Sequence, residues 1–149
     1  MAAATPPSTK TPWYFWVVAV ISVLWNTMGV LDFTLTQMHN EAYLKAITPE
    51  QRAYIYGFPL WSVLVWGLGT WGGFLGSLLL LFRRRLAVQL FGASLIGVVL
   101  ADIYSYGVSD FLKVMHGGMG MVIFSSVIFV IAMLLFLYAR ALARRGVLR

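Results

Sequence analysis

The sequence predicts an all-α fold, an antiparallel four-helix transmembrane bundle with both termini cytoplasmic and short interfacial helices in the first outer loop. Three observations carry that expectation. Of the 149 residues, 60% are hydrophobic and 11% charged, against roughly 45–50% and 25% in soluble domains. Apolar runs recur at about 12–36, 60–82, 86–107 and 117–139, each close to or above the roughly 20 residues that a spanning helix needs. Finally, arginines gather at alternate ends of those runs, as they do where helix ends remain in the cytoplasm. The length suits a single transmembrane domain over residues 1–149, with no room for a separate soluble one.

Residues 1–11 are small and polar, contain Pro6 and Pro7, and read as a flexible tail. Lys10 ahead of an apolar stretch invites comparison with a secretion signal. The stretch is too long for one and no small-residue cleavage pattern follows, so it is expected to stay on the chain. Thr11 is placed to cap a helix that begins at Pro12, where a missing N–H costs nothing. Trp13, Tyr14, Phe15 and Trp16 form an aromatic belt at the inner interface. The first span then runs to about Thr36, roughly 36 Å at about 1.5 Å per residue.

Gln37–Arg52 is the most polar stretch in the interior of the chain. A short interfacial helix is expected around Glu41–Ala46. Thr48, Pro49, Glu50 and Gln51 have the order of a capping box, in which the hydroxyl and the amide each satisfy an orphan N–H, so a second short helix is expected to about Tyr56. Pro59 should break it before the second span opens at Leu60.

Arg83, Arg84 and Arg85 leave only a tight turn, which makes the second and third spans neighbours in a hairpin. On the second span Gly69 and Gly73, and Gly72 and Gly76, repeat every fourth residue and leave a strip of bare backbone that another helix can approach closely. Ala93, Gly97 and Ala101 repeat at the same interval on the third span and are the expected complement; packing within the chain is preferred over homodimerisation for that reason. Ser109 and Asp110 are expected to cap a segment that carries Lys113, Met115 and His116 into the last span, with His116 at its start.

A formal net charge of +6 would suggest nucleic acid in a soluble chain. Here position argues against it. Lys10, Arg83, Arg84, Arg85, Arg140, Arg144, Arg145 and Arg149 fall at the ends assigned to the cytoplasm, and Lys45, Arg52 and Lys113 at the other, eight against three. The expected partner is therefore the lipid bilayer, with no nucleic acid. Cysteine is absent, which excludes disulfides, thiolate metal sites and cysteine nucleophiles.

Polar groups inside the spans are few, so each is informative. Asp32 and Asp102 are expected at similar depth in the outer leaflet, where a carboxylate must be hydrated, paired or protonated. With His39, which shares a helix face with Asp32, and with His116, they form an expected polar cluster at the outer mouth, with Tyr104, Tyr106 or Glu41 nearby. Its structural reading, hydrogen bonds that hold helix ends at a wet interface, stands first. A proton- or cation-coupled solute site stands second. A metal or haem site stands third, because no HExxH or other close ligand spacing supports it. No cofactor and no catalytic residue is expected. A retinal Schiff base is disfavoured, since no lysine lies in a span.

Asn26 lies near mid-span. An interhelical hydrogen bond is its first reading and a substrate contact its second. Gln89, Ser94, Ser125 and Ser126 are assigned to packing in the same way. Trp13, Trp16 and Trp61 read as interface anchors; Trp66 and Trp71, five residues apart, point to different faces and cannot form one stacking platform.

The segments WNTMGVLDFTLTQ (Trp25–Gln37), NEAYL (Asn40–Leu44), TPEQRAYIYGFPLW (Thr48–Trp61) and WGLGTWGGFLGSLLLL (Trp66–Leu81) together resemble a family of small four-helix bacterial inner-membrane proteins, whose members often carry the label "sugar transporter". The resemblance implies a four-helix membrane architecture and a bacterial inner-membrane location, N-in and C-in by the charge count. It transfers no catalytic or binding residue. The expected function is that of a non-enzymatic membrane protein, either a self-assembling homo-oligomer or an accessory subunit of a larger membrane complex. A small proton- or cation-coupled solute transporter, with sugars among its solutes and working as an oligomer, is the alternative. A haem- or metal-binding protein using His39 and His116 is the second.

Overall fold

The computed structural model describes residues 11–149. The flexible tail expected at the start of the chain, Lys10 included, lies outside them except for Thr11. The described residues are helical, with no strand among them, and the elements are α1 (Trp13–Gln37), α2 (Glu41–Leu44), α3 (Pro49–Tyr56), α4 (Leu60–Leu81), α5 (Leu86–Asp102), α6 (Phe111–Met115) and α7 (Gly118–Arg144). A π-helical segment, Ile103–Val108, continues α5. Four helices are long and apolar enough to cross a membrane: α1, α4, α5 with its π-helical extension, and α7.

Local chemistry accounts for most of the element boundaries. Thr48 Oγ1 accepts from Gln51 N at 3.2 Å while Gln51 Oε1 accepts from Thr48 N at 2.9 Å, a complete capping box at the head of α3. Asn40 Oδ1 accepts from Tyr43 N at 3.0 Å and caps α2, which is shorter than the stretch to Ala46 expected for it. Pro59 occupies the cap position of α4. Pro12 does the same for α1, so the helix begins at Trp13 with no side-chain cap, and Thr11 does not fill the role expected of it.

Three long helices end in one manner. Asn40 N reaches Leu35 O at 3.0 Å, Arg84 N reaches Leu79 O at 2.8 Å and Val147 N reaches Leu142 O at 3.0 Å, the six-to-one bond of a Schellman stop. The residue that turns the chain is left-handed in each, with φ of 54° at His39, 57° at Arg83 and 72° at Gly146. Two further boundaries differ from expectation. The third span is α-helical only to Asp102 and then widens into the π-helical turn. His116, at φ 53°, closes α6 and does not begin the last span, which starts at Gly118 and runs to Arg144, beyond the expected end at 139. A left-handed histidine cannot continue a right-handed helix.

The long helices pack as neighbours in the order α1, α4, α5, α7. Asn26 on α1 meets Gly73 and Ser77 on α4, Gly29 meets Thr70, and Phe33 lies over Gly67, so rising positions on one helix meet falling positions on the other. The main apolar cluster sits at the arginine end and draws on four helices: Phe15 and Ala19 of α1, Leu80 of α4, Ala87 and Phe91 of α5, Ala139 and Leu142 of α7. Val147 and Leu148 complete it, folding back beneath the turn between α4 and α5. That return is held by the main chain. Arg149 N donates to Arg83 O at 2.7 Å and Arg85 N to Arg149 O at 2.9 Å. Arg83 Nε donates to Val147 O at 3.1 Å and Arg85 Nε to Leu148 O at 3.3 Å.

Candidate functional site

Two regions hold the polar chemistry of the spans: the middle of the α1–α4–α5 interface and the end opposite the arginines. In the middle, Asn26 Nδ2 donates to Ser77 Oγ at 2.9 Å and to the Ser22 carbonyl at 2.8 Å. Ser77, fully buried, donates its hydroxyl hydrogen bond to Gly73 O at 2.8 Å. Ser94 of α5 donates to Gly69 O at 2.6 Å. Small residues are what allow these bonds to form. A methyl group at Gly97 would stand 2.6 Å from Gly69 N and 2.7 Å from Val65 O, and one at Gly73 would stand 2.3 Å from Asn26 Oδ1. The two backbones therefore touch at Gly69 and Gly97, the kind of approach that bare positions permit in a bilayer.

The bare strip of α4 meets a mixed surface. Gly72 lies against Ser94 and Leu90, Gly76 against the ring of Phe91, and Gly69 against Val98 and Gly97. Ala93 and Ala101 are half-buried, and neither supplies the atoms nearest to these glycines. The reason is angular: residues spaced by four drift around a helix of 3.6 residues per turn, so the contact row shifts to Phe91, Ser94, Gly97 and Val98.

At the opposite end the four residues expected as one cluster have separate partners. Asp32, exposed, accepts a hydrogen bond from the hydroxyl of Tyr43 in α2. Asp102, half-buried where α5 passes into its π-helical turn, accepts one from Ser125 of α7. His39 stacks on Tyr56 with ring centroids 4.0 Å apart, and exposed His116 serves as the left-handed stop of α6. Among the described residues no three His, Asp or Glu side chains lie close enough to hold one metal ion. Asp32 sits on a helix that packs on α4, whereas Asp102 sits on one that packs between α4 and α7; the helix order directs them to different neighbours.

The tyrosines expected near the cluster are engaged elsewhere. Tyr104 packs edge-on against Phe58 and Trp61, with centroids 5.3 and 5.0 Å away, and Tyr106 Oη donates to Met121 O at 3.2 Å. Gln51, already part of the capping box, also donates to Met115 O at 3.2 Å and ties the connection between α1 and α4 to the approach to α7. The Asp32 contact has a measurable electrostatic consequence. Donating to that carboxylate, reinforced by partial burial and by its charge, pushes the Tyr43 phenol up to about 12.

Residue spacing did not mark Tyr43 and Tyr56 as partners, because both lie beyond the end of α1 and reach back only once the loop folds. The one available signal was Asn40, whose capping of α2 turns Tyr43 toward Asp32. Compared with protein-family models, with curated proteins and with solved structures, the chain matches none.

Proposed function

We propose that this chain is a multi-pass protein of a bacterial inner membrane, its four spans antiparallel and both termini cytoplasmic, acting without catalysis as an accessory or self-assembling subunit. The descending register of α1 on α4 and the eight-to-three distribution of basic residues support the topology. The mid-span polar groups support the subunit reading, since Asn26 of α1 and Ser94 of α5 each spend a donor on a bond to α4, to Ser77 Oγ and Gly69 O.

The observation that carries it is α7. Its most apolar stretch is only 6% buried within the chain, against 22–28% for the other spans. Ile123, Val130 and Leu137, seven residues apart, are all exposed along one outward row. The absence of cysteine makes the test clean. Single cysteines at these three positions should cross-link in native membrane, either to the same position of a second copy or to one discrete partner. Recovery of uncross-linked monomer from all three would remove the reading. A cysteine at Arg84 that reacts with an impermeant reagent in intact cells would overturn the orientation.

One observation favours the transporter alternative. Asp102, half-buried and bonded to Ser125, stands where α5 becomes π-helical, a distortion frequent at functional positions. Four helices enclose no pathway by themselves, so that reading too requires an oligomer, with Asp102 as the coupling carboxylate.

A further inference from the structure

The arginine end carries an excess of positive side-chain charge. The acidic residues of the chain are Asp32, Glu41, Glu50, Asp102 and Asp110, none of them near the turn between α4 and α5. Among the described residues the one ion pair is Lys113–Asp110, so no Asp or Glu side chain pairs with the seven arginines. Two open grooves lie among them. One, of about 300 Å³, takes its arginines from a single stretch at the end of α7: Arg140, Arg144 and Arg145.

The other is built differently. It measures about 570 Å³ and is lined by Leu79, Phe82, Arg83, Arg84 and Arg149, a size inside the roughly 300–1,000 Å³ range of small-molecule sites. Its arginines come from two segments far apart in sequence, brought together by the main-chain bonds between Arg83, Arg85 and Arg149. Arg83 is fixed further by its bond to Val147 O, and the segment beside Arg149 is anchored by buried Leu148. Ordering the backbone before a ligand arrives lowers the cost of binding. Guanidinium groups match phosphate oxygens in pairs, and Leu79 and Phe82 add an apolar wall on the membrane side of the charges.

We infer that the groove formed by Leu79, Phe82, Arg83, Arg84 and Arg149 binds the phosphate headgroup of an anionic phospholipid. The apolar wall selects a lipid over free phosphate, because it has an acyl-bearing glycerol to cover. The inference rests on the membrane reading and not on any partner protein or orientation. Basic pockets at helix ends recognise lipid headgroups through this combination of charge and apolar surface.

The test uses the full chain, purified in detergent and offered phosphatidylglycerol or phosphatidylcholine, with bound lipid counted by native mass spectrometry. The side chains of Arg84 and Arg149 are exposed and make no hydrogen bond among the described residues, so R84Q/R149Q should leave the fold and its thermal transition unchanged. Retention of phosphatidylglycerol should fall about tenfold or more in that variant, and less than about twofold in R144Q/R145Q, which removes the same charge from the other groove. Three results would overturn the inference: equal loss in both variants, equal retention of the two lipids, or displacement of the lipid by inorganic phosphate. Since the isolated chain is used, failure here leaves the subunit reading standing, and failed cross-linking leaves this one standing.

Discussion

The amide of Asn26 on α1 donates to the hydroxyl of Ser77 on α4 at 2.9 Å, and its carbonyl oxygen fills the space that a side chain at Gly73 would need. The hydrogen bond and the glycine are thus one device. Asn26→Ala should cost about 0.6–1.7 kcal/mol, the range for polar contacts between membrane helices. Gly73→Ala should cost at least as much, because it drives the Asn26 side chain out. Once Asn26 is already alanine, the second substitution should be much cheaper. Unfolding in mixed micelles measures the cycle, and simple additivity would refute the coupling.

Contact between two backbones leaves less room to adjust. At Gly97 an added methyl meets Gly69 N and Val65 O, main-chain atoms that cannot swing aside. Gly97→Ala should therefore lose about 1–3 kcal/mol as overpacking. Gly120, helical and with nothing within 4 Å of such a methyl, is the control. There alanine should be neutral or stabilising by up to about 1 kcal/mol. Similar effects at both positions would contradict the close approach of α4 and α5.

Tyr43 offers a spectroscopic check on the connection between α1 and α4. Its phenol is pushed up to about 12 by the hydrogen bond to Asp32. Absorbance titration of wild type against Tyr43→Phe isolates the signal, and Asp32→Asn should bring the midpoint back toward the ordinary value near 10. A phenol with a raised folded-state value favours the folded loop fully below pH 10, and that contribution disappears as the pH rises through about 12. Tyr43 is 42% exposed, so solvent screening should hold the effect on stability below about 1 kcal/mol. An unchanged midpoint in Asp32→Asn would show that the two groups do not interact.

Asp102 and Ser125 join α5 to α7 near the π-helical turn. Asp102→Ala should loosen α7, lowering stability by about 1–2 kcal/mol, with Ser125→Ala costing at least as much because it leaves a half-buried carboxylate without its donor. Asp102→Asn keeps the acceptor and should behave almost as wild type in folding. If the chain moves a solute with protons, that same variant should abolish the pH dependence of uptake; normal pH-dependent uptake would end the transporter reading.

Much of the architecture was legible because it is local or compositional. The four spans follow from apolar runs of the right length, and the Thr48–Gln51 box from a four-residue pattern that needs no tertiary contact. Asn26 was readable too, since a mid-span amide must find a partner, although nothing in the sequence singled out Ser77. What escaped was long-range or carried by the backbone. The residue types of His39 and His116 point to imidazole chemistry, yet each sits at a left-handed stop, a position that depends on how the following segment leaves the helix. Asp32 and Asp102 have matching depths in a one-dimensional count, and each bonds to a partner the count does not name, Tyr43 of α2 and Ser125 of α7. Val147 and Leu148 are buried by a return that no periodicity announces.

That return also imposes an order of events during synthesis. The carbonyl of Val147 that Arg83 binds leaves the ribosome 64 residues after it, a delay of roughly 3–13 s at typical elongation rates of about 5–20 residues per second. Throughout that interval the hairpin of α4 and α5 waits with its turn unsealed, Leu80 and Ala87 lacking their final cover. Translation speed, and any factor that shields nascent membrane segments, thus acts on this protein at one identifiable place.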